Sequence, residues 1–244
     1  MKTIILGDTH GRPIWENIIN QEKNFDRLIF VGDYFDSKQY TAAQQIDNFA
    51  KIIEYKNTHP EKEIVLLVGN HDLHYFPEIG DTGTSGYQPL AKYDIEEIIQ
   101  ANRKHLQVAY RWSRFLVSHA GISSEFMNIT FGSGKWNNTT VVDDLNTAFI
   151  KNLFLFKFFG TEPSGDDPEQ TPLWIRTPSL VQSNIGSTLG QYTQIFGHTM
   201  IADINEVATI TKGKYYLIDC LGTSKEYLVV EDGMIRTSKI NNGI

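Results

Sequence analysis

Three nearly continuous apolar runs, each ending in glycine and a polar cluster, constrain the fold most strongly. They cover residues 2–7, 27–32 and 63–69, with the apolar cores TIIL, LIFV and IVLLV. Runs without polar alternation are typical of strands buried on both faces of a largely parallel sheet. A helical pattern lies between the second and third runs: Thr41 and Gln44 have the spacing of a capping box, and apolar residues then repeat at helical intervals to about residue 56. This alternation predicts α/β architecture.

Further elements are predicted along the rest of the chain. Asp94 with Glu97 indicates one helix start, and Thr140 with Asp143 indicates another. Two β-hairpins are predicted over residues 207–218 and 226–238, and we expect them to form a second, mostly antiparallel sheet that packs on the first. Residues 74–93 and 160–172 are interpreted as long loops, the former as a mobile lid or specificity loop.

Composition excludes several classes of protein. The chain has 244 residues, 41% of them hydrophobic, and a single domain over residues 1–244 is expected. A net charge of −7 leaves no broad basic surface, so nucleic acids and membranes are not expected partners. Cys220 has no partner for a disulfide within the chain, which suits a reducing cytoplasm. The apolar run after Met1 is too short for a signal peptide or a membrane span.

Polar residues able to bind metals follow the predicted strands. They stand in five short motifs, GDTHG, GDYFD, GNHD, SHAG and GHT. Ligands bind at the carboxyl ends of the strands in open α/β sheets. Oxygen donors mixed with imidazole suit Mn, Fe, Zn or Mg, and so many side chains predict two ions that share a bridging carboxylate. The polar residues of these motifs are Asp8, His10, Asp33, Asp36, Asn70, His71, Asp72, His119 and His198.

The five motifs, in this order, resemble those of the calcineurin-like metallophosphoesterases, in particular the branch of Ser/Thr phosphoprotein phosphatases and symmetrical diadenosine tetraphosphatases. The series extends from residue 8 to residue 198 and is far more specific than any one motif. The resemblance implies a four-layer αββα sandwich, with two mixed β-sheets flanked by helices. It also implies two divalent metal ions, with Mn preferred over Fe, Zn or Mg. The first would be held by Asp8, His10 and Asp33, and the second by Asp33, Asn70, His119 and His198.

The resemblance further implies catalytic and substrate-binding residues. His71 resembles the proton donor to the leaving alkoxide, and Asp36 the carboxylate that orients it, while a metal-activated water attacks phosphorus. The arginine that follows GDxxD in the phosphoprotein phosphatases is absent, because the next two residues are Ser and Lys. Arg176, in a Trp-x-Arg segment, resembles a phosphate-binding arginine of small bacterial and phage members, and Asn70 is a second expected substrate contact. A structural ion pair is the alternative role for Arg176.

The expected function is hydrolysis of phosphate monoesters in the manner of Ser/Thr phosphoprotein phosphatases, with a phosphoprotein or a small phosphoester as substrate. A nucleotide hydrolase, of the diadenosine tetraphosphatase or cyclic-nucleotide phosphodiesterase type, is one alternative. A non-catalytic phosphate-binding module is the other. His74 is expected to be a loop residue or a supporting residue, because the ligand set is complete without it. The aromatic run at residues 154–159 is interpreted as helix packing.

Overall fold

A computed structural model describes residues 1–83, 85–160, 162–207 and 214–240 of the chain. Within these ranges eleven strands form two sheets. The spatial order of the first sheet is β11-β10-β1-β2-β3-β4, and that of the second is β5-β6-β7-β9-β8. The strands are β1 (Lys2–Leu6), β2 (Arg27–Phe30), β3 (Glu63–Leu67), β4 (Leu106–Gln107), β5 (Ala109–Trp112), β6 (Phe115–Ser118), β7 (Thr193–Phe196), β8 (Asn205–Val207), β9 (Tyr215–Leu217), β10 (Glu226–Glu231) and β11 (Met234–Lys239).

Helices lie on both outer faces of the paired sheets. Three short 3-10 turns, over Arg103–His105, Leu153–Phe156 and Leu189–Gln191, accompany them. No helix in the described parts of the chain is long and apolar enough to cross a membrane. The α-helices are α1 (Ile14–Gln21), α2 (Ala42–Thr58), α3 (Asn70–Leu73), α4 (Lys92–Asn102), α5 (Ser124–Phe131), α6 (Val141–Lys151) and α7 (Thr177–Asn184).

Alternate side chains of the central strands fill two separate apolar cores. In β1, Ile4 packs into the core shared with α1, α2 and α4, whereas Ile5 packs into the core between the two sheets. Both side chains are fully buried, which explains why the run has no polar alternation. A third core joins Leu180 of α7 to the outer face of the second sheet. The predicted four-layer αββα sandwich with two mixed sheets is confirmed.

Parallel pairing brings the carboxyl ends of the central strands to one edge of the first sheet. Leu6 at the end of β1 is in register with Phe30 at the end of β2, and Phe30 is in register with Leu66 of β3. In the second sheet β6, β7 and β9 are also parallel to one another. The polar residues that directly follow these strands therefore lie at the same edge of the paired sheets.

The expectation of a mostly antiparallel second sheet is wrong. The second hairpin forms, as β10 and β11, but β10 pairs antiparallel with β1 and thus extends the first sheet. The second sheet is mixed, because β6, β7 and β9 are parallel while β5 and β8 are antiparallel edge strands. In the first hairpin β8 pairs with β9, as predicted, and residues 208–213 of that prediction lie outside the described residues.

Three helix starts were predicted, and two of the helices, α2 and α6, begin at the expected positions. The capping box at the start of α2 is present, with Thr41 Oγ1 accepting from Gln44 N and Gln44 Oε1 accepting from Thr41 N. The capping box predicted for Asp94 is absent, and α4 begins two residues earlier, at Lys92. Helix α6 begins directly after Thr140, but that side chain makes no capping hydrogen bond.

The two predicted loops carry turns and no strand in their described parts, and α4 begins only at the end of the first one. The aromatic run is partly misread. Phe156 is buried, in a 3-10 turn, whereas Phe154 and Phe159 are 59% and 51% exposed. A local apolar pattern does not identify which of several neighbouring aromatic side chains reaches the core.

Candidate active site

Left-handed backbone conformations occur at four of the polar residues that follow the strands. Their φ angles are 43° at His10, 54° at Asp33, 61° at Asp36 and 65° at His198. Residues other than glycine rarely adopt positive φ, and each such residue costs about 1–3 kcal/mol when the surroundings enforce it. The sharp turns redirect these side chains from the strand ends toward one another, so the strain marks the candidate site.

Two glycines allow the carboxylates to sit against the backbone. A Cβ atom on Gly69 would lie 2.0 Å from Oδ1 of Asp33, and one on Gly197 would lie 1.9 Å from Oδ1 of Asp8. Any side chain at either position would displace a carboxylate. The glycines of the GNHD and GHT motifs are therefore needed for the geometry of Asp33 and Asp8.

The six predicted metal ligands are brought together. Oδ2 of Asp33 lies 3.7 Å from Nε2 of His10 and 3.6 Å from Nε2 of His119, so this carboxylate stands between the two imidazoles. Ligand atoms of Asp8, Asp33 and His119 lie within 4.8 Å of one another. The central position of Asp33 agrees with the bridging role expected from the sequence.

Asn70 connects His119 to the third predicted histidine ligand, His198. Its Oδ1 lies 2.9 Å from Nε2 of His119 and 2.8 Å from Nδ1 of His198. The backbone N–H of His198 in turn donates to Oδ2 of Asp8 at 3.0 Å. Both halves of the predicted ligand set thus form one connected cluster.

Each predicted histidine ligand uses one ring nitrogen to contact a backbone carbonyl. Such a carbonyl accepts a hydrogen bond from the ring N–H and so fixes the tautomer, which leaves the other nitrogen with its lone pair. That other nitrogen faces Asp33 or Asn70 in all three cases. The donor–acceptor pairs are His10 Nδ1 with Phe35 O at 2.7 Å, His119 Nδ1 with Val31 O at 3.0 Å, and His198 Nε2 with Trp174 O at 3.1 Å.

The electrostatics of this cluster suit bound cations. Burial lowers the pKa of His10, His119 and His198, so these imidazoles are neutral near pH 7. Burial, together with Asp219 and Asp33, raises the pKa of Asp8. Converging lone pairs beside crowded, buried carboxylates are stabilised when divalent ions supply positive charge. The residues present therefore fit a two-ion site.

Asp72 holds the loops that carry the ligands, a role that the sequence did not indicate. Its carboxylate accepts hydrogen bonds from the backbone N–H groups of Asp33 at 2.8 Å, Tyr34 at 2.7 Å and Gly69 at 2.8 Å. The backbone N–H of His71 completes the link by donating to Oδ1 of Asp33 at 2.9 Å. The GDYFD and GNHD turns are consequently fixed to one another.

His71 and Asp36 form a pair beside the cluster of predicted metal ligands. Nδ1 of His71 donates to Oδ2 of Asp36 at 2.9 Å, and the ring of His71 meets that of His10 edge-on at 5.2 Å between centroids. Burial opposes the charged form of His71, but Asp33 and Asp36 outweigh it and raise the pKa of His71 to about 9. Burial likewise opposes ionisation of Asp36, but hydrogen bonding to His71 and contact with His74 lower the pKa of Asp36 to about 2.

Arg176 reaches the same edge from the start of α7. Its NH1 donates to Thr199 Oγ1 at 2.9 Å and to the carbonyl of His198 at 3.3 Å, while its Nε donates to Ser164 O at 2.8 Å. No carboxylate within the described ranges lies within ion-pairing distance of the guanidinium, so the structural ion pair considered from the sequence is not observed. Asp166, also in the 160–172 loop, caps α7 by accepting from Ser179 N at 3.0 Å.

Asp219 is a second residue that sequence reasoning missed. It follows β9, and burial and the charge of Asp33 raise the pKa of its carboxyl to about 7. The signal was available, because the segment YYLID repeats the apolar-run-then-Asp pattern of the TIIL run and Asp8. Asp72 offered no such signal, since its partners are backbone groups that only the tertiary structure brings near.

Comparison with known proteins agrees with this geometry. Residues 1–201 match the family described as calcineurin-like phosphoesterase. This match covers most of the chain, so the protein belongs to the calcineurin-like phosphoesterase family and is a metal-dependent phosphoesterase. Among curated proteins none matches the sequence.

Solved structures share the fold at low sequence identity. A cold-active protein-tyrosine phosphatase of a psychrophilic Shewanella species is 16% identical, with a TM-score of 0.66 over 98% of this chain and 80% of that one. A protein serine/threonine phosphatase from Saccharomyces cerevisiae is 16% identical, with a TM-score of 0.62 over 100% and 81%. A metallophosphoesterase from Sphaerobacter thermophilus is 11% identical, with a TM-score of 0.54 over 99% and 89%. At these identities the likeness supports the fold alone.

Proposed function

We propose that this protein hydrolyses phosphate monoesters and acts in the manner of a phosphoprotein phosphatase. The observation that carries the proposal is the His71–Asp36 pair, held at 2.9 Å beside the cluster of predicted metal ligands. Monoester hydrolysis with an alkoxide leaving group needs a proton at the leaving oxygen, and a positioned imidazole supplies it.

The metal ligands divide into two sets that share Asp33. Asp8, His10 and Asp33 would hold one divalent ion, and Asp33, Asn70, His119 and His198 the other. Two such ions, when bound, supply the charge that activates water near neutral pH and neutralises phosphate oxygens. Burial keeps the imidazoles neutral and the carbonyl partners fix their tautomers, so one lone pair on each ring stays available. Asn70, as an amide, offers its oxygen without adding charge, and it is also a proposed substrate contact.

His71 is the proposed general acid. Its Nδ1–H is bonded to Asp36, so Nε2 is the nitrogen left to give a proton. As water forms a bond to phosphorus, the bond from phosphorus to the leaving oxygen breaks. The leaving oxygen keeps the electron pair of that bond and takes the Nε2 proton, so it departs as a neutral alcohol. Asp36 keeps the ring oriented and stabilises its charged form. Acid catalysis of this kind contributes about 10²- to 10⁴-fold in rate.

Arg176 is the proposed phosphate-binding arginine. Two of its nitrogens bond to protein oxygens, whereas NH2 has no partner among the hydrogen bonds of the described residues. The guanidinium donates to the backbone carbonyl of His198, in the same cluster of predicted ligands that His71 adjoins. A substrate phosphate between these two groups would meet a cation on one side and a proton donor on the other, which suits a dianionic monoester better than a diester.

The phosphoprotein class is the finer part of the proposal. Two structural neighbours are described as phosphatases of tyrosine and of serine or threonine in proteins, and their fold is shared. Manganese is the proposed native ion, and the cytoplasm the proposed location. Nucleotide hydrolysis, of the diadenosine tetraphosphatase or cyclic-nucleotide type, is the competing substrate class that an experiment has to separate.

A steady-state hydrolysis screen tests the proposal. Metal-stripped protein is reloaded with Mn, Zn, Fe or Mg and assayed with 4-nitrophenyl phosphate, its bis-ester, a phosphoserine peptide and diadenosine tetraphosphate. We expect monoester and phosphopeptide turnover, and no turnover in Asp33→Asn. Faster hydrolysis of diadenosine tetraphosphate than of the phosphopeptide would replace the phosphoprotein class with the nucleotide class, and faster hydrolysis of the bis-ester would refute the monoester proposal.

A further inference from the structure

Three side chains from residues 74–88 surround the carboxylate of Asp36. Nε2 of His74 lies 2.8 Å from Oδ2, the hydroxyl of Tyr75 donates to Oδ1 at 2.6 Å, and Nε2 of Gln88 donates to Oδ1 at 3.3 Å. With His71 at 2.9 Å, four side chains approach two oxygens, and the carboxylate of Asp36 is fully shielded from solvent. The pair described above is thus part of a larger network.

The segment that supplies these three side chains is held together by contacts among its own residues. The backbone N–H of Gln88 donates to the hydroxyl oxygen of Tyr75 at 2.9 Å, and the same hydroxyl donates a hydrogen bond to Asp36. The rings of Tyr75 and Tyr87 stack at 5.4 Å between centroids, and His74 meets Tyr87 at 4.8 Å. A substitution at any of these rings is therefore expected to change the position of the side chains that contact the Asp36 carboxylate.

The two ends of the Asp36 turn are also held. A Cβ atom on Gly86, where φ is 96°, would lie 3.2 Å from Cβ of Asp36, so the segment packs directly on this residue. On the other side, Oε1 of Gln45 in α2 accepts from the Ser37 backbone N–H at 3.2 Å and from Nε2 of Gln88 at 3.1 Å. Gly86 and Gln88 on one side and α2 on the other therefore enclose the turn.

We propose that residues 74–88 form a positioning segment for the general acid, with His74, Tyr75 and Gln88 as positioning residues that act through Asp36. This inference rests on the proposed function. A carboxylate held by several donors has one orientation, and Asp36 in that orientation keeps the tautomer and ring plane of His71 fixed. The segment then controls proton delivery to the leaving group. A mobile specificity lid, the interpretation from the sequence, would have no need for side chains that bond to Asp36.

A comparison of two leaving groups tests the positioning role. Tyr75→Phe removes the donor to Oδ1 and keeps the ring, and Tyr192→Phe is the matched control, because the Tyr192 hydroxyl donates to Asn138 O at 2.7 Å, in another part of the molecule. We expect Tyr75→Phe to lower kcat for phenyl phosphate, a poor leaving group, by about 10- to 100-fold. The fall for 4-nitrophenyl phosphate should be much smaller, and metal content should not change.

A second variant guards against a folding defect. Gln88→Leu alters a half-buried side chain, so the fold is expected to persist, and the same preferential loss on phenyl phosphate is expected, to a smaller extent. Equal losses on both esters in these variants, or no loss on either, would overturn the positioning role. A change in KM alone, with kcat unchanged, would instead favour the specificity lid and also overturn it.

A spectroscopic readout separates this inference from the proposed function. In zinc-loaded protein the proton on Nδ1 of His71, assigned by its loss in His71→Asn, should give a downfield NMR signal. We expect this signal to shift or to broaden by exchange in Tyr75→Phe and to stay unchanged in Tyr192→Phe. If the wild-type chain hydrolysed no phosphoester, the proposed function would fail, and the NMR result would still decide whether Tyr75 positions His71. An unchanged signal in Tyr75→Phe would refute the positioning role.

Discussion

The imidazole side chain has opposite surroundings in two regions of the candidate site, around His119 and His198 and around His71. His119 and His198 each contact a backbone carbonyl with one nitrogen, and burial lowers the pKa of both imidazoles. His71 instead donates to the carboxylate of Asp36, and there the nearby charges outweigh burial and raise the pKa of the imidazole. A neutral partner leaves a lone pair for a metal, whereas a charged partner favours a proton that can be given away.

This difference assigns chemistry to residues that look alike in the sequence. All three histidines follow an apolar strand and stand beside a turn residue. What separates them is the acceptor that the fold brings to each ring, a backbone oxygen in one region and Asp36 in the other. We infer that metal binding and proton donation are separate functions, carried by adjacent regions of one sheet edge, and that they can be disabled independently.

Removal of the bridging carboxylate should have the largest effect on the metal-binding region. Asp33→Asn takes away a negative charge that stands between His10 and His119. Loss of even an indirect metal partner costs about 10- to 100-fold in affinity, so loss of a shared ligand should exceed about 100-fold and abolish turnover. Equilibrium dialysis and the aryl phosphate assay measure the two effects. Asp47→Asn, on the exposed face of α2, is the control and should change neither.

His71→Asn should remove proton donation to the leaving group. Turnover of phenyl phosphate should fall by about 10²- to 10⁴-fold, because the leaving phenoxide no longer receives a proton. Turnover of 4-nitrophenyl phosphate should fall much less, and the number of bound ions should stay the same. His105→Asn, outside the site, serves as the control. An unchanged rate with phenyl phosphate would remove His71 from the mechanism.

Arg176 tests whether substrate binding belongs to the metal-binding side. Arg176→Gln should raise KM for phosphate monoesters by about 10- to 100-fold, since hydrogen bonds to charged groups contribute about 1.5–3 kcal/mol. The leaving-group dependence of kcat should not change, in contrast to His71→Asn. Arg111→Gln, on β5, is the comparison variant. A shift in the leaving-group dependence would place Arg176 in the proton-donating region and break the separation.

Glu22, a buried carboxylate outside both regions, also shows how charged partners outweigh burial in setting a pKa. Glu22 lies 2.8 Å from Lys2 Nζ and 2.7 Å from Arg236 NH2, and accepts from the Tyr227 hydroxyl at 2.9 Å. Burial would raise its pKa, but these hydrogen bonds outweigh burial and lower the pKa to about 2, from an ordinary value of 4.5. Glu22→Gln should lower the free energy of unfolding by about 1–3 kcal/mol at neutral pH.

The pH dependence of this effect has a definite sign. A folded-state pKa below the unfolded one stabilises the fold fully above pH 4.5, and the stabilisation is lost as pH falls toward 2. The difference between wild type and Glu22→Gln in urea unfolding should therefore be constant from pH 5 to 7 and shrink below pH 4.5. Glu97→Gln, at an exposed site on α4, should show no such difference. A difference that grew on acidification would contradict this account of Glu22.

The strand ends were predictable from the sequence, and the connections between them were not. A buried strand followed by glycine and a polar residue is a local pattern, and it identified Asp8, Asp33 and Asn70. The hairpin of β10 and β11 was also local, but the sheet it joins depends on its pairing with β1, more than 200 residues away in sequence. Two hairpins with similar turns give no local signal for that choice.

The roles of Asp72 and His74 likewise depend on tertiary contacts that have no local signal in the sequence. Asp72 differs from the ligands around it only because backbone N–H groups of residues 33 and 34 meet its carboxylate in the folded chain. His74 was expected to be a loop or supporting residue, and its contact with Asp36 depends on how the segment that follows α3 folds back. Sequence pattern therefore predicts which residues gather at the candidate site, whereas tertiary contacts determine which partner each imidazole nitrogen has.

The number of divalent ions bound per chain, measured by elemental analysis of reloaded wild-type protein and of His71→Asn, tests the separation of the two regions most directly. The account predicts two ions per chain in both proteins, with turnover of phenyl phosphate lost only in the variant. Fewer than two ions in the wild type, or the loss of an ion in His71→Asn, would contradict it.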